Sequence, residues 1–175
     1  MMQKKSNVND FSAANNYDKS HRAPLDAIDS RILRLLINNA SLPFLEIARE
    51  CGISGAAIHQ RIRKLEEWGV IRGSHLVVDP KLLGFDVCAY INISLQDPLL
   101  LNQTMEKLRQ IPEIVECHFI TGTYTLLVKL YCVDNEHLMK TIFDSVLRIQ
   151  GVTTTQTYIS LNEAFSRQVD LDLLR

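Results

Sequence analysis

No stretch of this 175-residue chain approaches the roughly 20 consecutive apolar residues that a membrane-spanning helix needs. The opening, Met1-Met2-Gln3-Lys4-Lys5 followed by Ser, Asn and Asp, lacks the apolar core of a secretory signal, so the cytoplasm is the expected location. Cys51, Cys88, Cys117 and Cys132 stand far apart with no C-x-x-C pair, which argues against a zinc knuckle or a dithiol redox centre. They are expected to be reduced and mostly buried, as small hydrophobes. His21, His59, His75, His118 and His137 do not form the spaced pairs of a zinc site or of nucleophilic catalysis. Neither a G-x-G-x-x-G nor a G-x-x-x-x-G-K-[ST] loop occurs, so nucleotide binding has no support. Glu66 and Glu67 are adjacent acids near a helix end and read as a solvated face rather than a catalytic pair. No metal, cofactor or catalytic residue is therefore expected, and the chain reads as a non-enzyme.

What is present is enough apolar material, 46% of residues, to rule out disorder throughout. The formal charge of −1 is unevenly spread. Residues 1–24 hold Lys4, Lys5, Lys19 and Arg22 against Asp10 and Asp18, residues 25–79 balance, and residues 80–175 are net acidic. Affinity for phosphates needs a local basic surface, so total charge does not decide whether nucleic acid is bound.

Residues 1–24, rich in Asn, Ser, Lys and Asp, have the composition of a flexible N-terminal tail. From Leu25 the pattern becomes helical. Leu25, Ile28, Ile32, Leu35 and Leu36 recur at helical spacing behind a capping Asp26, with Asp29 in the first turn and the end near Asn38 and Asn39. Pro43 starts a second helix, whose stripe of Phe44, Ile47, Ala48 and Cys51 stops at Gly52. Ser54 caps a third, with Ile58, Ile62 and Leu65 buried and closure at Trp68 and Gly69. Three short helices with a tight Gly-containing turn before the last make a helix-turn-helix over residues 25–70.

Its third helix would then be the reader of duplex DNA. Opposite the buried stripe lie Ala56, Gln60, Arg63 and Glu67, with His59 and Lys64 at the flanks. Ser54, Gly55 and Ala56 are small enough to let the backbone near base edges, while His59, Gln60 and Arg63 carry groups suited to the major groove. Arg61 lies nearer the buried side, which fits either a phosphate contact or a structural ion pair. A three-helix protein-interaction module, with Gln60 and Arg63 merely solvated, is the plainer reading. Residues 71–84, running through Val77, Val78, Asp79 and Pro80, read as an extended linker strand and hinge.

From Phe85 the period becomes two. Val87, Ala89, Ile91, Ile93 and Leu95 alternate with Cys88, Tyr90, Asn92 and Ser94. A helix from Asp97 to Ile111, strands at 115–120 and 124–132, a helix over 136–149 and a strand at 152–161 follow. That order predicts an α+β chain with a C-terminal ferredoxin-like βαββαβ domain over 85–161, then a C-terminal tail over 162–175. A sheet covered by helices on one face alone calls for a partner, and a homodimer is the expected answer.

Leu25-Asp26-Ala27-Ile28-Asp29 with Ile32-Leu33 and Leu36, Gly52-Ile53-Ser54, Arg61 to Glu66, Gly69-Val70-Ile71, Asp79-Pro80 and Leu83-Gly84-Phe85 together resemble the Lrp/AsnC, or feast/famine, regulators. Thr121-Gly122-Thr123-Tyr124 and Gly151-Val152 with Thr155-Gln156-Thr157 resemble that family's effector and assembly region. The resemblance implies DNA-binding homodimers that pair through their sheets and associate further, often into octamers, with an amino acid bound between dimers. Many members are acidic where this chain has Thr125. Ile58-His59 and the Gly122-x-Tyr124-Thr125 turn resemble the asparagine-responsive AsnC branch, which implies a small polar amino acid as effector. Such a ligand needs donors for its carboxylate, and backbone N–H groups around Gly122 can supply them. Phe119, Thr121, Gly122, Thr123, Tyr124, Thr125, Tyr158 and Ser160 are the candidate lining. The alternatives are an architectural DNA-binding protein of little sequence preference and a regulatory subunit that binds no DNA.

Overall fold

A computed structural model of the chain describes residues 22–173. Most of the expected N-terminal tail lies outside the described residues. Two compact units are present: one comprises the chain up to Leu76 together with the segment beginning at Ser166, and the other is Val77–Phe165.

The first unit holds α1 (Ala27–Asn38), α2 (Phe44–Cys51) and α3 (Gly55–Glu67). Asp26 and Asp29 form a reciprocal capping box: the Asp29 amide donates to Asp26 Oδ1 at 2.7 Å and the Asp26 amide to Asp29 Oδ2 at 3.3 Å. Gly52, in the left-handed region, ends α2. Two residues on, Ser54 Oγ accepts the Ala57 amide at 3.2 Å and starts α3. Ile32, Ile47, Ile58 and Leu65 are buried to 1% exposure or less and form the core with Leu33, Ala48 and Ile62. Each such side chain contributes about 2 kcal/mol of transfer free energy. Trp68 packs against this core, with the Lys64 ammonium 4.3 Å from its ring centroid.

Two expectations at the edges of the domains are corrected. Residues 71–79 form no ladder among the described residues: Leu76 and Val77 are about 90% exposed, because a strand needs a neighbour to take its backbone N–H and C=O groups. Nor is 162–175 simply a tail. Leu171 joins the helix core, Asp172 pairs with Arg34 of α1, and Leu171–Leu173 form a short 3-10 turn held by the Asp170 carboxylate.

The second unit runs β1 (Val87–Leu95), α4 (Leu101–Arg109), β2 (Ile114–Phe119), β3 (Leu126–Cys132), α5 (Asn135–Lys140) and β4 (Val152–Ser160). The sheet is antiparallel in the order β2-β3-β1-β4, the expected split βαβ arrangement. One face of β1 and β3, with Ala89, Ile91, Ile93, Leu126, Val128 and Leu130, is fully buried beneath Leu108 of α4 and Leu138 of α5. The other face carries Tyr90, Lys129, Tyr131 and Tyr158, half-buried or exposed. The expected single helix over 136–149 divides: α5 passes into a π-helical stretch at Thr141–Val146, where Thr141 Oγ1 donates back to the His137 carbonyl at 2.9 Å. Of the cysteines, Cys132 is buried, Cys51 and Cys88 are half-buried, and Cys117 on the edge strand β2 is exposed, unlike the expected pattern.

Candidate nucleic-acid interface and effector region

Because α3 buries Ile58, Ile62 and Leu65 at helical spacing, its opposite side must face outward. Ala56, His59, Gln60, Arg63, Lys64 and Glu67 are exposed, and Gly55 is half-buried in the first turn. Phe44, at the start of α2, lies against the same surface, its ring 4.8 Å from that of His59 at 78°. With Gln60, Ile62, Arg63 and Glu66, these two rings line a shallow concavity. The face offers amide, imidazole and guanidinium groups next to a small-residue helix start, the chemistry of base-edge readout.

Arg61 stands apart from that face. One terminal nitrogen lies 2.6 Å from Asp26 Oδ2 and 2.6 Å from Asp29 Oδ1. Of the two roles open to it in the sequence, the structure shows the ion pair. The sequence reading missed Asp29, which is 3% exposed. The sequence places it in the first turn of α1, and an acid at that position carries no local signal that a cation from α3, 32 residues on, will bury it.

The amide of Asp29, and after it the Arg61 guanidinium, hold the Asp26 carboxyl below the usual carboxylate range. Such a group adds stability above its unfolded pKa of about 3.9 and loses it as pH falls through the lower folded value. Unfolding of the first unit, followed by fluorescence of the single tryptophan Trp68, is therefore expected to become easier as pH falls below about 4, and less steeply so in Asp26→Asn. Equal pH slopes in both proteins would contradict the role given to this carboxyl.

In the second unit the loop between β2 and β3 carries Thr121, Gly122 and Thr123, all exposed, with Tyr124 and Thr125 half-buried. Gly122 has φ of 122°, a region open to glycine and costly to other residues. The loop closes with the Ile120 amide on the Thr125 carbonyl at 3.0 Å, and the Thr125 amide donates to Ile93 of β1 at 2.9 Å. Tyr124 Oη donates to Gln156 Oε1 of β4 at 2.8 Å, bridging the loop to the far edge strand. Gln156 was missing from the candidate lining, and only its place in Thr155-Gln156-Thr157 hinted at it.

The remaining candidate lining residues are spread over the sheet. Ser160 lies four positions along β4 from Gln156, roughly 13 Å at strand spacing. Phe119 pairs with Leu126 on the helix-covered side of the sheet, whereas Tyr158 pairs with Tyr90 on the open side and at the other edge. On the open side, the Lys129 ammonium lies between Glu116 and Glu163, at 3.8 and 3.4 Å, with the rings of Tyr90 and Tyr131 within 6 Å. Burial works against its charge, yet Tyr131, Tyr90 and Glu116 outweigh that and its pKa is raised. Elsewhere, His137 pairs with Glu113 at 2.9 Å.

Comparison with known proteins gives this geometry its setting. The AsnC-type helix-turn-helix domain matches residues 25–66, and the Lrp/AsnC ligand binding domain matches residues 88–169. Regulatory protein AsnC of Haemophilus influenzae is 30% identical over 145 residues, covering 83% of this chain and 97% of that protein. HTH-type transcriptional regulator Ptr1 of Methanocaldococcus jannaschii is 38% identical over 128 residues, covering 73% of this chain and 86% of that protein. Among solved structures, AsnC of Escherichia coli is 30% identical with a TM-score of 0.78, covering 84% of this chain and 99% of that one. A transcriptional regulator of Neisseria meningitidis, in complex with L-Met, shares the fold at 24% identity with a TM-score of 0.79 over 86% of this chain and 99% of that one. The chain belongs to the Lrp/AsnC family of transcriptional regulators, with an AsnC-type helix-turn-helix and a Lrp/AsnC ligand-binding domain.

Proposed function

We propose that the chain acts in the cytoplasm, reading specific duplex DNA through Ser54, Gly55, Ala56, His59, Gln60, Arg63 and Lys64, while an amino acid bound near the Gly122 loop alters its assembly or DNA affinity. The observation that carries this reading is the outward row of α3, where Gln60 and Arg63 stand exposed on a helix fixed by three buried residues. Pairing of two copies through the open sheet face would cover Tyr90, Tyr131 and Tyr158, and association of dimers, to an octamer by family resemblance, would complete an effector site that one chain leaves open. The Gly122 backbone, Thr121, Thr123, Thr125 and the Tyr124–Gln156 pair supply polar groups suited to a small amino acid. The L-Met complex of the Neisseria protein is consistent with that ligand class.

Two measurements test the proposal. Duplexes selected by the full chain from a random library are expected to bind Arg63→Ala about 10- to 100-fold more weakly, the worth of one good base contact, with Trp68 unfolding unchanged. Size-exclusion chromatography with light scattering, with and without asparagine, leucine and a mixture of other amino acids, is expected to show a dimer or higher even-numbered assembly. Its mass or melting temperature should respond to one amino acid, asparagine first. A monomer indifferent to all of them would sink the sensing half, and undiminished affinity of Arg63→Ala would sink the reading face.

A further inference from the structure

We infer that Phe44 is a positioning residue for base reading: its ring holds the His59 imidazole in one orientation on the outward face of α3. The inference rests on the reading of α3 as the recognition helix. Phe44 is the first residue of α2, and the buried side of that helix is made by Ile47 and Ala48. Phe44 as a whole is 37% exposed, and its ring meets that of His59 edge to face, a favoured arrangement of two aromatic rings. His59 is exposed and, among the described residues, has this ring contact and no hydrogen bond or ion pair. The Phe44 ring is thus what selects a rotamer for an imidazole that would otherwise turn freely between Phe44 and solvent. A side chain already held in its reading geometry loses less freedom on meeting a base edge, so specificity gains from a residue that makes no base contact of its own. Arg61 is engaged by Asp26 and Asp29, whereas the contact of His59 is with a neighbour from the preceding helix.

The test is selection of random duplexes by the full chain, wild type against His59→Ala, Phe44→Leu, Phe44→Tyr and the double variant Phe44→Leu/His59→Ala. His59→Ala is expected to flatten preference at one or two base pairs by roughly tenfold, within the worth of a single base contact. Phe44→Leu should flatten the same base pairs several-fold. The double variant should do no more than His59→Ala, and Phe44→Tyr, which keeps the ring, should restore preference. Trp68 unfolding should not move in any of these variants. In proton NMR of the free protein, the His59 ring signals, identified by their loss in His59→Ala, should shift in Phe44→Leu as the neighbouring ring current is removed.

Flattening by Phe44→Leu at base pairs that His59→Ala leaves alone would mean that Phe44 touches DNA itself, and the positioning role would be wrong. So would full preference in Phe44→Leu, additive losses in the double variant, or unmoved His59 signals. If His59→Ala, Gln60→Ala and Arg63→Ala all select the wild-type sequence with wild-type affinity, the recognition-helix reading has failed. If those three still alter it, failure is confined to Phe44.

Discussion

Arg61→Ala is expected to cost the first unit roughly 3 kcal/mol, the lower end for breaking a buried ion pair, because Arg61 itself is partly solvated. The loss is not of a surface salt bridge. Asp29 has 4% of its side chain exposed, and removing the guanidinium would leave its charge desolvated with only the Asp26 amide and solvent at its edge to meet it. Denaturation followed by Trp68 fluorescence reads this directly, since that tryptophan packs on the core of the same unit. Adding Asp29→Asn should recover a good part of the loss: the amide oxygen can still accept the Asp26 amide, and no charge is left stranded. Any fall in DNA binding should then track the unfolded fraction, for a reason unconnected with base contact. The contrary outcome is equally specific. Wild-type stability together with weakened binding to every duplex would make Arg61 a phosphate contact and overturn the structural role.

Gly151→Ala is expected to destabilise the second unit by about 3 kcal/mol, combining backbone strain with overpacking. Gly151 has φ of 94°, which an alanine rarely adopts, and an added Cβ would stand 2.4 Å from Leu100 Cδ1. The same residue accepts a hydrogen bond from the Gln96 amide at 2.8 Å, so the end of β1, the entry to α4 and the start of β4 meet there. A shift of β4 by one residue would turn Gln156 and Tyr158 to the other face of the sheet and break the bridge to Tyr124. Near-ultraviolet circular dichroism of the tyrosines, four of the five of which lie in this unit, should show the lowered midpoint while Trp68 unfolding stays put. In a Leu100→Ala background the steric part should vanish and the strain part remain. A Gly151→Ala protein as stable as wild type would show that both the turn and Leu100 can give way.

The helix and strand order was legible because it is written in short-range pattern. Ile32, Ile58, Ile62 and Leu65 recur at helical spacing and are buried. Asp26 and Ser54 stand where caps are needed and do cap. Val87, Ala89, Ile91 and Ile93 alternate with polar partners and line the covered face of the sheet. Each of these features depends on neighbours within about four residues, the reach of helical and strand periodicity. The outward row of Gln60 and Arg63 followed from the same spacing, since whatever lies opposite a buried stripe is exposed.

By itself, then, the sequence determined the elements, their order, the two kinds of domain and the face of α3 that is free to meet a ligand. Tertiary structure alone decided which distant side chains meet. It placed Arg61 on Asp29, the Phe44 ring against His59, Tyr124 on Gln156 and Leu171 in the helix core. These partners lie far apart along the chain, and no local propensity encodes their meeting. Close packing of the two cores brings them together, and the cost of burying an unpaired charge such as that of Asp29 holds the pairing in place.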